Sequence, residues 1–159
     1  MKDILWNAKR SIILTKICIT MLMIISVILM LYGKFIIEDF LYITQGARFD
    51  VSPEFSLYLI TFISYSLGTI ALLTLFCMLR FISNLEKDQV FIRQNVKWLR
   101  FISYGCLTAG ILLFVVSLVY SKFFIIISLA ALFMMLIVRV IKNAFEQAVE
   151  MKEELDLTI

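Results

Sequence analysis

Four glutamates near the end of the chain, Glu146, Glu150, Glu153 and Glu154, fall at i, i+4, i+7 and i+8, the spacing of one helical face. Earlier, Arg93, Lys97 and Arg100 repeat i, i+4, i+7 with the opposite charge. Two such stripes suit charge pairing, with each other or with a partner. Three cysteines, Cys18, Cys77 and Cys106, each lie five to seven residues inside the end of an apolar run and would sit at similar depth. A thiolate metal site wants N or S ligands in fours, yet the chain has no histidine and its apolar runs contain no carboxylate. The cysteines therefore read as three separate small hydrophobes, without metal or disulfide. No nucleophile stands beside a base, so no catalytic residue and no cofactor is nominated, and the expectation is a protein that is not an enzyme.

The elements that position these stripes come from composition. The chain is 62% hydrophobic and 17% charged, beyond soluble domains, where apolar residues make up about half. Charges collect at 2–16, 34–54, 80–100 and 139–156, leaving apolar runs over 11–33, 55–82, 99–120 and 123–142. Each meets the ~20 residues that a helix needs to cross a ~30 Å hydrocarbon core. Lys16 and Arg139 reach the surface by snorkelling. The run after Lys16 ends in "LMLYGKF" without a small-x-small cleavage site, so it reads as a permanent span and not as a signal peptide. The fold class is all-α: an integral membrane four-helix bundle, one domain over residues 1–159, with amphipathic helical extensions in the cytoplasm.

Orientation follows from loop charge. Residues 1–16 and 80–100 are net positive, whereas 34–54 are net negative. By the positive-inside rule both termini, the loop 83–98 and the tail 143–159 are cytoplasmic. Tyr32, Phe35, Phe40, Tyr42, Phe55 and Tyr58, with Tyr120, Phe123 and Phe124, form an aromatic belt at the outer ends. The outer loop anchors at the membrane surface and ends in Ser52, Pro53 and Glu54, an N-cap, first-turn proline and first-turn acid for the second span. Ser64 with Gly68, and Gly105 with Ala109, follow small-xxx-small spacing, used for packing within the chain or for a homodimer face.

The inner segments carry more pattern. Ile92, Val96 and Leu99 form an apolar stripe beside the basic one, on a helix leading into the third span. In the tail, Ala144, Ala148, Met151 and Leu155 share an apolar face beside the acidic stripe, and the closing Leu157 and Ile159 are expected to dock on the inner loop or a partner. The basic stripe is open to anionic lipid or an acidic partner. Three basic residues beside a membrane are too thin a footprint for direct nucleic-acid binding.

Two motifs carry a resemblance. "VFIRQNVKWLR" and "FEQAVEMKEELDLTI" resemble the signatures V-F-x-x-x-N-V-K-x-L-R and F-x-x-x-x-x-L-K-E-E-x-D-L-T-V/I of the YoaS-like bacterial membrane proteins of unknown function. Val90, Phe91, Asn95, Val96, Lys97, Leu99 and Arg100 fit the first. Phe145, Lys152, Glu153, Glu154, Asp156, Leu157, Thr158 and Ile159 fit the second. That family usually has Gly where this chain has Asp88, and Ser or Thr where it has Ile92, so the helix N-cap before Arg93 is missing.

The resemblance implies four spans with cytoplasmic ends, no established catalytic activity, and a gene that often accompanies a small Xre-type helix-turn-helix regulator. The expectation is a non-enzymatic regulatory membrane protein. It would bind that regulator through Phe91, Arg93, Asn95, Lys97 and Arg100 of the inner loop and Glu146, Glu150, Glu153, Glu154, Asp156, Leu157 and Ile159 of the tail. A small transporter or channel is the alternative, weakened by a core without charge, where coupled transporters keep it. Immunity against a membrane-active peptide is another.

Overall fold

The computed structural model describes residues 2–43 and 53–156, and among them every regular element is an α-helix. The helices are α1 (Lys2–Leu31), α2 (Gly33–Ile43), α3 (Pro53–Glu86), α4 (Arg93–Val119) and α5 (Phe123–Asp156). α1, α3, α4 and α5 are each long and apolar enough to cross a membrane, and together they fit a four-helix membrane bundle.

The helices outrun the apolar stretches. α3 continues to Glu86 and α4 begins at Arg93, so the expected loop 83–98 shrinks to residues 87–92. α5 carries on past Lys142 to Asp156. The reason is local: neither "NLE" nor "NAFEQAVEMKEELD" contains a glycine or proline to stop helical hydrogen bonding.

α3 ends in a tight reversal that explains one family departure. Gln89 N–H donates to Asn84 O (3.0 Å) and Asp88 N–H to Leu85 O (3.1 Å), the paired bonds of a Schellman motif. That motif needs a left-handed residue at its penultimate position, and Asp88 has φ 58°. Glycine takes this conformation without steric cost, and Asp is among the few side chains that tolerate it. At the start of α4, Ile92 holds the N-cap position with extended backbone and no side-chain cap bond.

α4 lies between α3 and α5, and α1 packs on the far side of α3. Among the described residues α1 and α5 do not touch, so the spans pack in the order α1, α3, α4, α5. Small residues set these contacts. A Cβ on Gly105 would run into Thr74 Oγ1 of α3, and one on Gly68 would lie 2.9 Å from Met30 Cγ of α1. Both small-xxx-small motifs thus contribute a residue to packing within the chain. Between α4 and α5 the buried Ser128 hydroxyl donates to Gly110 O at 2.8 Å. The remaining intramembrane hydroxyls mostly turn back on their own helix: Ser26, Ser66, Thr69, Thr74 and Thr108 donate to carbonyls four residues earlier.

One end of the bundle is closed by α2. Ile37 is buried against Ile60 and Ile63 of α3 and Val116 and Tyr120 at the end of α4, and Phe40 meets Phe124 edge to face at 6.0 Å. Pro53 and Glu54 occupy the first turn of α3 as expected; Ser52 lies outside the described residues. At the opposite end, Lys16 of α1 pairs with Glu86 of α3. A partner carboxylate, rather than snorkelling alone, satisfies its charge.

Candidate functional site

Beyond the hydrocarbon-length part of α5, about 14 further residues project ~20 Å along the axis, and α4 starts six residues before its apolar stretch. These two extensions run antiparallel, and their packing is built from the loop outward.

Asn95, in the first turn of α4, is 0% exposed. Its Nδ2 donates to Gln89 O (2.8 Å) and Val90 O (2.7 Å), and its Oδ1 accepts from Asn84 Nδ2 at 2.8 Å. One amide thus satisfies two loop carbonyls and ties the end of α3 to the start of α4. Asn95, one of the inner-loop residues nominated for partner binding, is a buried post around which residues 87–92 wrap.

An aromatic cluster joins the third segment. Phe145 of α5 lies 5.7 Å from Phe81 of α3 and 5.9 Å from Phe91 of the loop, ring centre to ring centre. One turn on, Val149 is 4% exposed, beside Val96 in the cleft between α4 and α5. Phe81, Asn84 and Val149 were not singled out from sequence. Val149 alone had a usable signal, the i+4 spacing from Phe145.

Charge pairs flank this apolar seam. Arg93 grips Glu153 with two bonds, Nε to Oε1 at 2.7 Å and Nη2 to Oε2 at 2.5 Å. Glu146 accepts from Lys142 Nζ at 2.7 Å and from Arg100 Nη2 at 3.3 Å. Both the arginines and the glutamates are seven residues apart, so two antiparallel helices match them one to one across two turns. The Arg93 hydrogen bond holds the Glu153 carboxyl below the usual carboxylate range, and Glu153 raises Arg93 in return. Lys142, then Arg100, hold Glu146 low against partial desolvation.

The structure divides the expected site residues. Arg93, Arg100, Glu146 and Glu153 pair with one another. Lys97 and Glu150 line the same cleft without an ion pair of their own among the described residues. Glu154 is exposed, and Asp156 closes α5. Leu157 and Ile159 lie outside the described residues. Of the apolar face read in the tail, Met151 is 59% and Leu155 68% exposed, whereas Phe145 and Val149 face inward. The cysteines are unpaired, Cys18 exposed and the other two half-buried. Among the described residues no three acidic, Cys or His groups gather as a metal site.

Residues 47–159 match the protein family DUF2975, described as a protein of unknown function. The chain belongs to this family. The DUF2975 region takes in α3, α4 and α5, and with them every residue of the loop, aromatic cluster and charge pairs just described. α1 and α2 precede it. No curated protein and no solved structure matches the chain. The DUF2975 end of this molecule presents a helix pair with an exposed apolar edge and exposed charge of both signs.

Proposed function

We propose that this multi-pass membrane protein is a non-enzymatic regulatory module of the bacterial inner membrane, with both termini in the cytoplasm. In this reading it belongs among the YoaS-like members of its family, and its inner helix pair holds a small helix-turn-helix transcription regulator at the bilayer. The supporting observation is the state of α5 beyond the membrane. It is clamped to α4 on one side, while Met151 and Leu155 stand exposed on the other. Water does not favour two adjacent large apolar side chains on a rigid solvated helix, whereas a partner helix does.

The clamp refines which glutamates would serve a basic partner. Glu146 and Glu153 are already neutralised by arginine, so contact falls to Met151 and Leu155 with the exposed Glu150 beside them. A basic DNA-reading surface drawn to that edge would be withheld from DNA by charge competition.

The test is co-purification of the full-length protein in nanodiscs with a small Xre-type helix-turn-helix protein. Wild type captures the regulator, and the double variant Met151→Asp, Leu155→Asp loses capture while keeping its helical circular dichroism. Equal capture by that variant, or none by wild type, sinks the reading.

A further inference from the structure

A second cleft opens between α4 and α5, on the membrane side of the charge pairs, with a volume of about 220 Å³. Arg100 of α4 and Arg139 and Lys142 of α5 stand around it. We propose that this cleft binds the phosphate headgroup of an anionic phospholipid.

The gradient of chemistry along the cleft carries the argument. Arg139 lies ~24 Å and Lys142 ~28 Å along α5 from Phe123, which puts both at the edge of a ~30 Å hydrocarbon core. Ser103 and Tyr104 follow Arg100 by about one turn, ~5 Å deeper. Met135 of α5 stands level with Ser103, whose hydroxyl donates to the Met135 carbonyl oxygen at 3.5 Å, and Leu107 of α4, ~10 Å below Arg100, completes the apolar floor. Cations, then hydroxyls, then hydrocarbon is the order of phosphate, glycerol ester and acyl chain in a phospholipid.

Charge is in excess at the mouth. Glu146 accepts from both Lys142 and Arg100, leaving three cations around one carboxylate. Arg139 makes no ion pair among the described residues and is exposed. A general preference for basic residues beside the inner leaflet accounts for their presence. It does not account for their convergence from two helices on one cleft with an apolar floor. Free phosphate shares the headgroup's charge but has nothing to place on Leu107 and Met135. The site therefore favours the lipid. It stands independently of any regulator bound at Met151 and Leu155.

The experiment uses the full-length protein in detergent, where no bilayer surface potential acts. Equal mole fractions of phosphatidylglycerol and phosphatidylcholine are added, and retained lipid is counted by native mass spectrometry. Phosphatidylglycerol is retained preferentially. Arg139→Gln lowers its retention about fivefold, the loss of one near-surface cation, and Arg139→Lys restores most of it. Lys122→Gln, an equal charge loss at the opposite end of the same hairpin, leaves retention unchanged. Equal retention of both lipids, an equal effect of Lys122→Gln, or matching thermal stabilisation by inorganic phosphate alone overturns the proposal.

Discussion

Replacing Asn95 by Asp leaves shape and volume almost untouched and reverses the hydrogen-bond logic of the loop. In the wild type, Nδ2 supplies both donors that reach Gln89 O and Val90 O, at 2.8 and 2.7 Å. A carboxylate supplies none, and places an anionic oxygen against two carbonyls at the same separation. The third bond, from Asn84 Nδ2 at 2.8 Å, survives. Two lost bonds at ~1 kcal/mol net each give about 2 kcal/mol, and burying a charge without a cationic partner adds to that. Asn95→Ala loses all three bonds, about 3 kcal/mol by the same count. Water entering from the solvent side then re-satisfies part of it. Asn95→Asp is therefore expected to destabilise by at least about 2 kcal/mol, comparably to Ala despite its better fit. The assay is unfolding in mixed micelles with hydrogen exchange read separately for residues 84–92 and 143–156. Exchange should rise in both segments, since the loop also positions Phe91 against Phe145. An Asn95→Asp protein within ~0.5 kcal/mol of wild type would refute the assignment of Asn95 as a hydrogen-bonding post.

Asp88→Gly should stabilise by roughly 0.5–1 kcal/mol, because φ 58° is strained for a side chain and free for glycine; a raised unfolding midpoint checks it. Asn84→Ala should cost about 1 kcal/mol for its single bond to Asn95, and a double-mutant cycle with Asn95→Ala should show strong coupling. Acidification should release the tail from α4. Glu146 and Glu153 have folded pKa values below the ordinary carboxylate value of about 4.3, so their pairing is complete above that value and is lost as pH falls through it toward the folded values. The protection factor over 143–156, exchange corrected for its intrinsic pH dependence, should accordingly be flat above about pH 5 and fall below about pH 4, and Glu153→Gln should flatten part of that response. A protection factor that ignores pH in that range would show that the pairs do not hold the tail.

Much of this molecule is legible in one dimension. Four apolar stretches of bilayer length dictate four helices, because a backbone in hydrocarbon must satisfy its own hydrogen bonds. The short turn at "YSKFF" dictates an antiparallel hairpin, and the absence of helix breakers carries α5 beyond it. Once the hairpin is antiparallel, arginines and glutamates each seven residues apart can meet, and Arg93 with Glu153 and Arg100 with Glu146 do so. Tertiary structure alone decided how each helix is rotated about its axis. A membrane helix is apolar on every side, so no contrast between an apolar and a polar face selects the one that is buried. Rotation is set by close contacts such as Gly105 against Thr74 and Ser128 against Gly110. That rotation turned Phe145 and Val149 inward and Met151 and Leu155 outward, paired Glu153 but not Glu150, and left α1 and α5 apart. The same holds for Asn95, whose burial depends on a left-handed turn at Asp88 wrapping the loop around it.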